Sequence, residues 1–138
     1  MSEDGLRPIR QRCIISAAYF ISFICLGCCI SVFGSAIPLL ADRTGMPISG
    51  FAPTFSARAF GYVTGSLLSG VVTSVPLHTK VIAGLCLLSV TCAVFASAST
   101  FGVVTAAVAV QGLGGGLVDP GINTLVLLLH GPHTDPWM

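Results

Sequence analysis

Long runs without a single charged side chain constrain this chain more than any other feature. Residues 13–41, 59–79, 81–118 and 120–134 carry no Asp, Glu, Lys or Arg. A helix needs roughly 20 apolar residues to cross about 30 Å of hydrocarbon. The first run predicts a helix at about 13–40 and the second one at about 55–75. The third run would make roughly 57 Å of continuous helix, too long for one crossing. Its hydropathy dips at Ser97-Ala98-Ser99-Thr100-Phe101-Gly102, which predicts a break between helices at about 80–98 and 101–129. Only 8% of the 138 residues are charged, and mean hydropathy is +0.93. A soluble domain carries about 25% charged residues. The composition therefore excludes a cytosolic enzyme, a disordered tail and a nucleic-acid binder. The expected fold is all-α: a polytopic membrane protein of four transmembrane helices. A β-barrel would need period-two alternation, which is absent.

Three segments follow: a cytoplasmic stretch 1–12, a four-helix unit 13–129 and a short polar tail 130–138. The first apolar run exceeds the 7–15 residues of a signal-peptide core, so it reads as a span. Arg7, Arg10 and Arg12 precede helix 1, Lys80 falls in the expected turn between helices 2 and 3, and Arg43 follows helix 1. The positive-inside rule then places both termini and the 2–3 turn in the cytoplasm. Connections are short, Pro- and Gly-bearing at 42–54 and tight at 74–79, which makes neighbours antiparallel.

Small residues mark the packing faces. Ala57, Gly61, Gly65 and Ser69 recur every four residues in helix 2; Gly112 and Gly116 form a small-xxx-small pair in helix 4. In lipid such residues let backbones approach. A phosphate-cradling glycine loop would need a preceding strand, and none is expected. Pro120 adds an expected kink. The cysteines Cys13, Cys25, Cys28, Cys29, Cys86 and Cys92 read as small packing residues, with no histidine or acid nearby to complete a metal site; Cys13, beside Arg12, also fits S-acylation. His130 and His133 fall in the polar tail and read as solvated; Trp137 suits an interface.

Asp119 is the only acid inside a span. An Asp at a helix centre costs about 2.5–3.5 kcal/mol on insertion scales. Intramembrane acids face a cavity or a partner and mark ion or solute paths. Asn123 lies four residues on, on the same face, and Gln111 lies two turns earlier. A carboxylate beside amides suits a hydroxyl-rich solute; the carboxylate also suits a proton or Na+. The bland alternative is a polar residue satisfied by backbone freed around the glycines and Pro120. Arg58 is the only base inside a span. It is expected near the outer end of helix 2, with Asp119 roughly 27 Å below the outer end of helix 4. The two are then at opposite levels, and Arg58 either snorkels or serves a gate.

The strings Gly34-Ser35-Ala36-Ile37-Pro38-Leu39-Leu40 and 55–70 (FSARAFGYVTGSLLSG), with Gly112-x-Gly114-x-Gly116-x-x-Asp119-x-x-x-Asn123, resemble the start of a major facilitator superfamily transporter. The nearest branch is the sodium-dependent glucose transporter-like group, beside the fucose–proton symporters. The resemblance covers about 13–131. It implies twelve spans in two halves, with Asp119 binding the coupling Na+ or H+ and Asn123 and Gln111 contacting a sugar-like solute. No organic cofactor, metal centre or enzymatic step is implied. Two departures stand out. The family's Gly-x-x-x-Asp-Arg-x-Gly turn reads Gly70, Ser74, Val75 and Leu77 at its four fixed positions, and four spans replace twelve, as expected of a truncated carrier. The alternative is a non-transporting tetraspan membrane protein that uses its glycine ladders to form a homo-oligomer or to bind a full-length carrier. A small dimeric exporter would place its acid in helix 1, which has none.

Overall fold

The computed structural model describes residues 9–131. The segments 1–8 and 132–138, with Arg7, His133 and Trp137, lie outside the described residues. Four helices follow in order: α1 (Ile9–Thr44), α2 (Ala52–Val71), α3 (Leu77–Ser97) and α4 (Phe101–His130), with a single 3-10 turn at Ile48–Phe51 before α2. Among the described residues there is no strand.

Local chemistry sets the boundaries. α1 runs through Pro38 and stops at Gly45, whose φ of 67° is left-handed backbone that ends a helix without a Cβ penalty. Its 36 residues exceed the expected 13–40 because nothing before Gly45 breaks it. α2 starts with Pro53 in its first turn, where the missing N–H is harmless. It ends at Val71, four residues before the expected limit. Pro76 caps α3 and biases Val75 away from helical backbone, so residues 72–76 form the turn.

The register of contacts gives the topology. Gly112 lies against Arg58 and Gly116 against Tyr62, so α2 and α4 run parallel. Gly114 lies against Gly84 and Gly121 against Val81, so α3 and α4 are antiparallel. Ser16 meets His130 and Cys29 meets Gln111, so α1 also opposes α4. α4 is the hub, with its glycine-rich centre buried. Two apolar clusters fill the bundle. Phe33, Leu40, Phe51, Phe95, Val104 and Val108 pack towards the 45–51 end; Leu26, Val81, Leu88, Val118, Ile122 and Val126 pack towards the other.

Close packing at α2–α4 is reciprocal. A methyl on Gly61 would lie 2.0 Å from the Ala109 carbonyl oxygen, and one on Gly65 2.3 Å from that of Leu113. One on Gly112 would lie 2.1 Å from the Arg58 oxygen, and one on Gly116 2.2 Å from that of Tyr62. Each helix thus supplies two glycines that admit the other's backbone.

Among the described residues, three helices are long and apolar enough to cross a membrane: Arg10–Thr44 within α1, then α3 and α4. α2 is not among them; its glycines, hydroxyls and Arg58 lower its average. Its exposed side is nonetheless apolar, with Phe55, Phe60, Val63, Leu67, Leu68 and Val71.

Two expectations about the ends need correction. Lys80 is not in a turn. It sits in the first turn of α3, 7% exposed, and its Nζ donates to the Ser69 carbonyl at 2.7 Å. That carbonyl belongs to the last turn of α2, where helical donors run out. His130 is not in a solvated tail. It closes α4, 8% exposed, with Nε2 2.7 Å from the Ser16 hydroxyl. A buried ring nitrogen needs such a partner.

Gly116→Val should lower the melting temperature in detergent by the equivalent of about 1–3 kcal/mol, as overpacking does. Gly34→Val, at a glycine with nothing within 4 Å, should leave it nearly unchanged. Lys80→Met should cost about 1.5–3 kcal/mol, the range for hydrogen bonds to charged groups. All three are read by thermal melts followed by circular dichroism.

Candidate functional site

The α2–α4 contact brings Tyr62 to Asp119. With Gly116 seated on the Tyr62 backbone, the phenol extends along α4 by about one turn. Its hydroxyl donates to Asp119 Oδ2 at 2.5 Å. Asn123, one turn further along α4, donates through Nδ2 to Asp119 Oδ1 at 3.1 Å. Each carboxylate oxygen therefore takes one donor and keeps acceptor capacity. Asp119 is half-buried, while Tyr62 and Asn123 are exposed. The three form a polar patch on the outside of the described helices. Beside it, Pro120 has no N–H, so the carbonyl of Gly116 lacks its usual helical donor. α4 nonetheless continues through Pro120 as one helix.

Gln111 does not join this patch. Eight residues from Asp119, it is rotated about 80° around the helix axis. It is 1% exposed at the α1–α4 contact, and its Nε2 donates to the Cys29 carbonyl at 2.8 Å. Its Oε1 is buried with no hydrogen-bond partner among the described residues. The expected shared face holds for Asp119 and Asn123 only.

Arg58 is nearer Asp119 than expected. Its backbone lies level with Gly112, seven residues or about 10 Å along α4 from Asp119. The glycine register places the start of α2 deeper than that of α4, so the two helices do not begin at one outer plane. Arg58 is half-buried, and among the described residues its guanidinium makes no hydrogen bond or ion pair. Gly61, Gly65, Gly112 and Gly116 build the contact surface itself. The cysteines are free, and among the described residues no three His, Cys, Asp or Glu side chains gather as metal ligands.

Tyr62 was the missed member. The available signal was its place one residue after Gly61: once the two glycine pairs are set in register, a long polar side chain there reaches the third residue beyond Gly116, which is Asp119.

The chain is similar to proteins called sodium-dependent glucose transporter 1. It is 34% identical to that of Danio rerio over 98% of this chain and 24% of the relative. It is 30% identical to that of Rattus norvegicus over 83% and 24%, and 27% identical to that of Homo sapiens over 85% and 23%. No protein-family model and no solved structure matches. Nearly the whole chain is thus homologous to a stretch of a sugar-transporter-like membrane protein, and it spans about a quarter of the length of these curated relatives.

Proposed function

We propose that this chain is the leading four-helix portion of a major facilitator-type carrier for a small, sugar-like solute, with transport coupled to Na+ or H+. The observation that carries the reading is the Tyr62–Asp119–Asn123 patch: an intramembrane carboxylate with unused acceptor capacity, held across two helices whose backbones touch. Asp119 takes the coupling ion or proton. Asn123, exposed beside it, offers an amide to solute hydroxyls. Gln111 acts from inside the α1–α4 contact, where its free Oε1 is an acceptor for a buried water or hydroxyl. Similarity to relatives named for sodium and glucose supports the solute class and the ion.

In this reading all four helices cross the membrane, α2 as the partner of α4. The end carrying Arg10, Arg12 and Lys80 faces the cytoplasm. Arg58, half-buried above the patch, is placed to act on the path to Asp119 or to reach the opposite headgroups. The remainder of such a carrier would close the exposed side of the patch.

A second reading, a non-transporting tetraspan protein that self-associates or binds a full-length carrier, is favoured by one observation. Gly27, Ser31 and Ser35 form a small-residue line on the exposed side of α1, with nothing within 4 Å of Gly27. Crosslinking through cysteines introduced on that line, with no solute flux in the same vesicles, would favour it.

Asp119→Asn should abolish ion-driven accumulation of radiolabelled hexose in vesicles carrying the protein as expressed from its own transcript. Asn123→Ala should weaken apparent solute affinity by about tenfold, the equivalent of roughly one hydrogen bond. Accumulation that survives Asp119→Asn unchanged would refute the assignment.

A further inference from the structure

Asn123 and Asp119 lie on the same helix, so their hydrogen bond moves as one body with α4. The bond from Tyr62 is different in kind. It joins the carboxylate to α2, across a contact where the glycines fix the distance between the two backbones. A change in what Asp119 accepts can therefore reach α2 through the phenol side chain, and Tyr62 has room to turn, being 39% exposed.

We propose that Tyr62 is the positioning residue that reports the occupancy of Asp119 to α2: its hydroxyl donates to the carboxylate while Asp119 is empty and charged, and is released when a proton or monovalent cation takes that oxygen. This rests on the reading of Asp119 as the ion or proton site. An ionised carboxylate is an acceptor only, and a hydrogen bond to it is charge-assisted, roughly twice as strong as a neutral one. Protonation adds a proton from water to Oδ2, which then becomes a donor and no longer needs the phenol; Tyr62 keeps its own proton throughout. A cation bound on the unused lone pairs draws off the same negative charge, so the bond from Tyr62 loses its charge assistance. Either ligand weakens the Tyr62–Asp119 bond and frees the phenol for solute or for the other side of the cavity. The empty carboxylate is thus held ready by one helix and released by its own ligand, whichever of the two electrophiles that is.

The sequence supplies the probe. The chain has two tyrosines, Tyr19 and Tyr62, so Tyr19→Phe leaves Tyr62 alone. The full chain, carrying ring-deuterated tyrosine, is placed in phosphatidylcholine vesicles and its phenol bands are followed by vibrational difference spectroscopy. One arm lowers the pH in choline chloride; the other adds sodium chloride at fixed neutral pH. The expected result is a strong-donor phenol at neutral pH in choline, converted to a weak donor in at least one arm, and the responding arm identifies the ligand. Asp119→Asn should show the weak-donor spectrum throughout and respond to neither arm. A spectrum indifferent to both acid and sodium with Asp119 intact, or identical in Asp119→Asn, overturns the proposal. The first arms need no substitution at the patch, so misfolding of a variant cannot produce that result. Loss of uptake in Asp119→Asn together with an indifferent Tyr62 spectrum removes the role of Tyr62 and leaves the transport reading standing; a responsive spectrum with uptake intact does the reverse.

Discussion

Backbone-to-backbone contact between α2 and α4 is the constraint from which the rest of this bundle follows. In water, burial of apolar surface would drive two helices together. In lipid that drive is absent, and contact area must come from close approach. Gly61 and Gly65 on one helix and Gly112 and Gly116 on the other remove the side chains that would hold the backbones apart. The same device operates on the α3 side, where Gly84 and Gly114 face each other and Gly121 receives Val81. α4 is therefore a spine contacted from several directions, and its glycine density, unfavourable for an isolated helix, is what makes it one. The contact also determines chemistry, because the register that seats Gly116 on Tyr62 is the register that delivers the phenol to Asp119.

Polar groups within the bundle divide into two kinds. Serine and threonine hydroxyls, such as those of Ser22, Ser31, Thr64, Ser89 and Thr124, return to carbonyls of their own helix four residues back. Lys80 takes the Ser69 carbonyl, Arg43 takes the Ala96 carbonyl, and Ser16 and His130 take each other. These groups are satisfied by structure and need no ligand. Asp119 stands apart: it is an acid, half-exposed, with two donors and acceptor capacity to spare. The cost of placing it in an apolar helix is offset neither by an ion pair with Arg58 nor by enclosure.

The helices were legible because their cause is one-dimensional. Uncharged length, prolines and glycines lie along the chain, and α3 and α4 fall within a few residues of where those markers place them. Asp119 and Asn123 were legible as a pair because four residues on one helix share a face. The antiparallel order and the glycine packing faces were legible too; what was not is which side chains of different helices meet. Tyr62 is unremarkable in sequence until the glycines of two segments are set in register. Gln111 looked aligned with Asp119 by counting turns, but eight residues overshoot two turns and carry it to the α1 side. Lys80 and His130 were assigned to a turn and a tail because both are polar and near a boundary. A helix that begins three residues earlier or ends one residue later turns such residues inward, where each finds a partner.

The low average hydropathy of α2 has the same origin as its role. An average over a helix weighs the side facing a neighbour and the side facing outward alike. In α2 the inward positions are Thr54, Gly61, Gly65 and Ser69, small or hydroxyl-bearing, all buried. The outward positions include Phe55, Phe60, Val63, Leu67 and Val71. The inward residues thus account for part of the low average, and half-buried Arg58 for much of the rest. Such a helix gains from a partner, since its bare backbone at Gly61 and Gly65 lies against Ala109 and Leu113 of α4. The register that covers the bare backbone of α2 is also the one that brings Tyr62 to the Asp119 carboxylate.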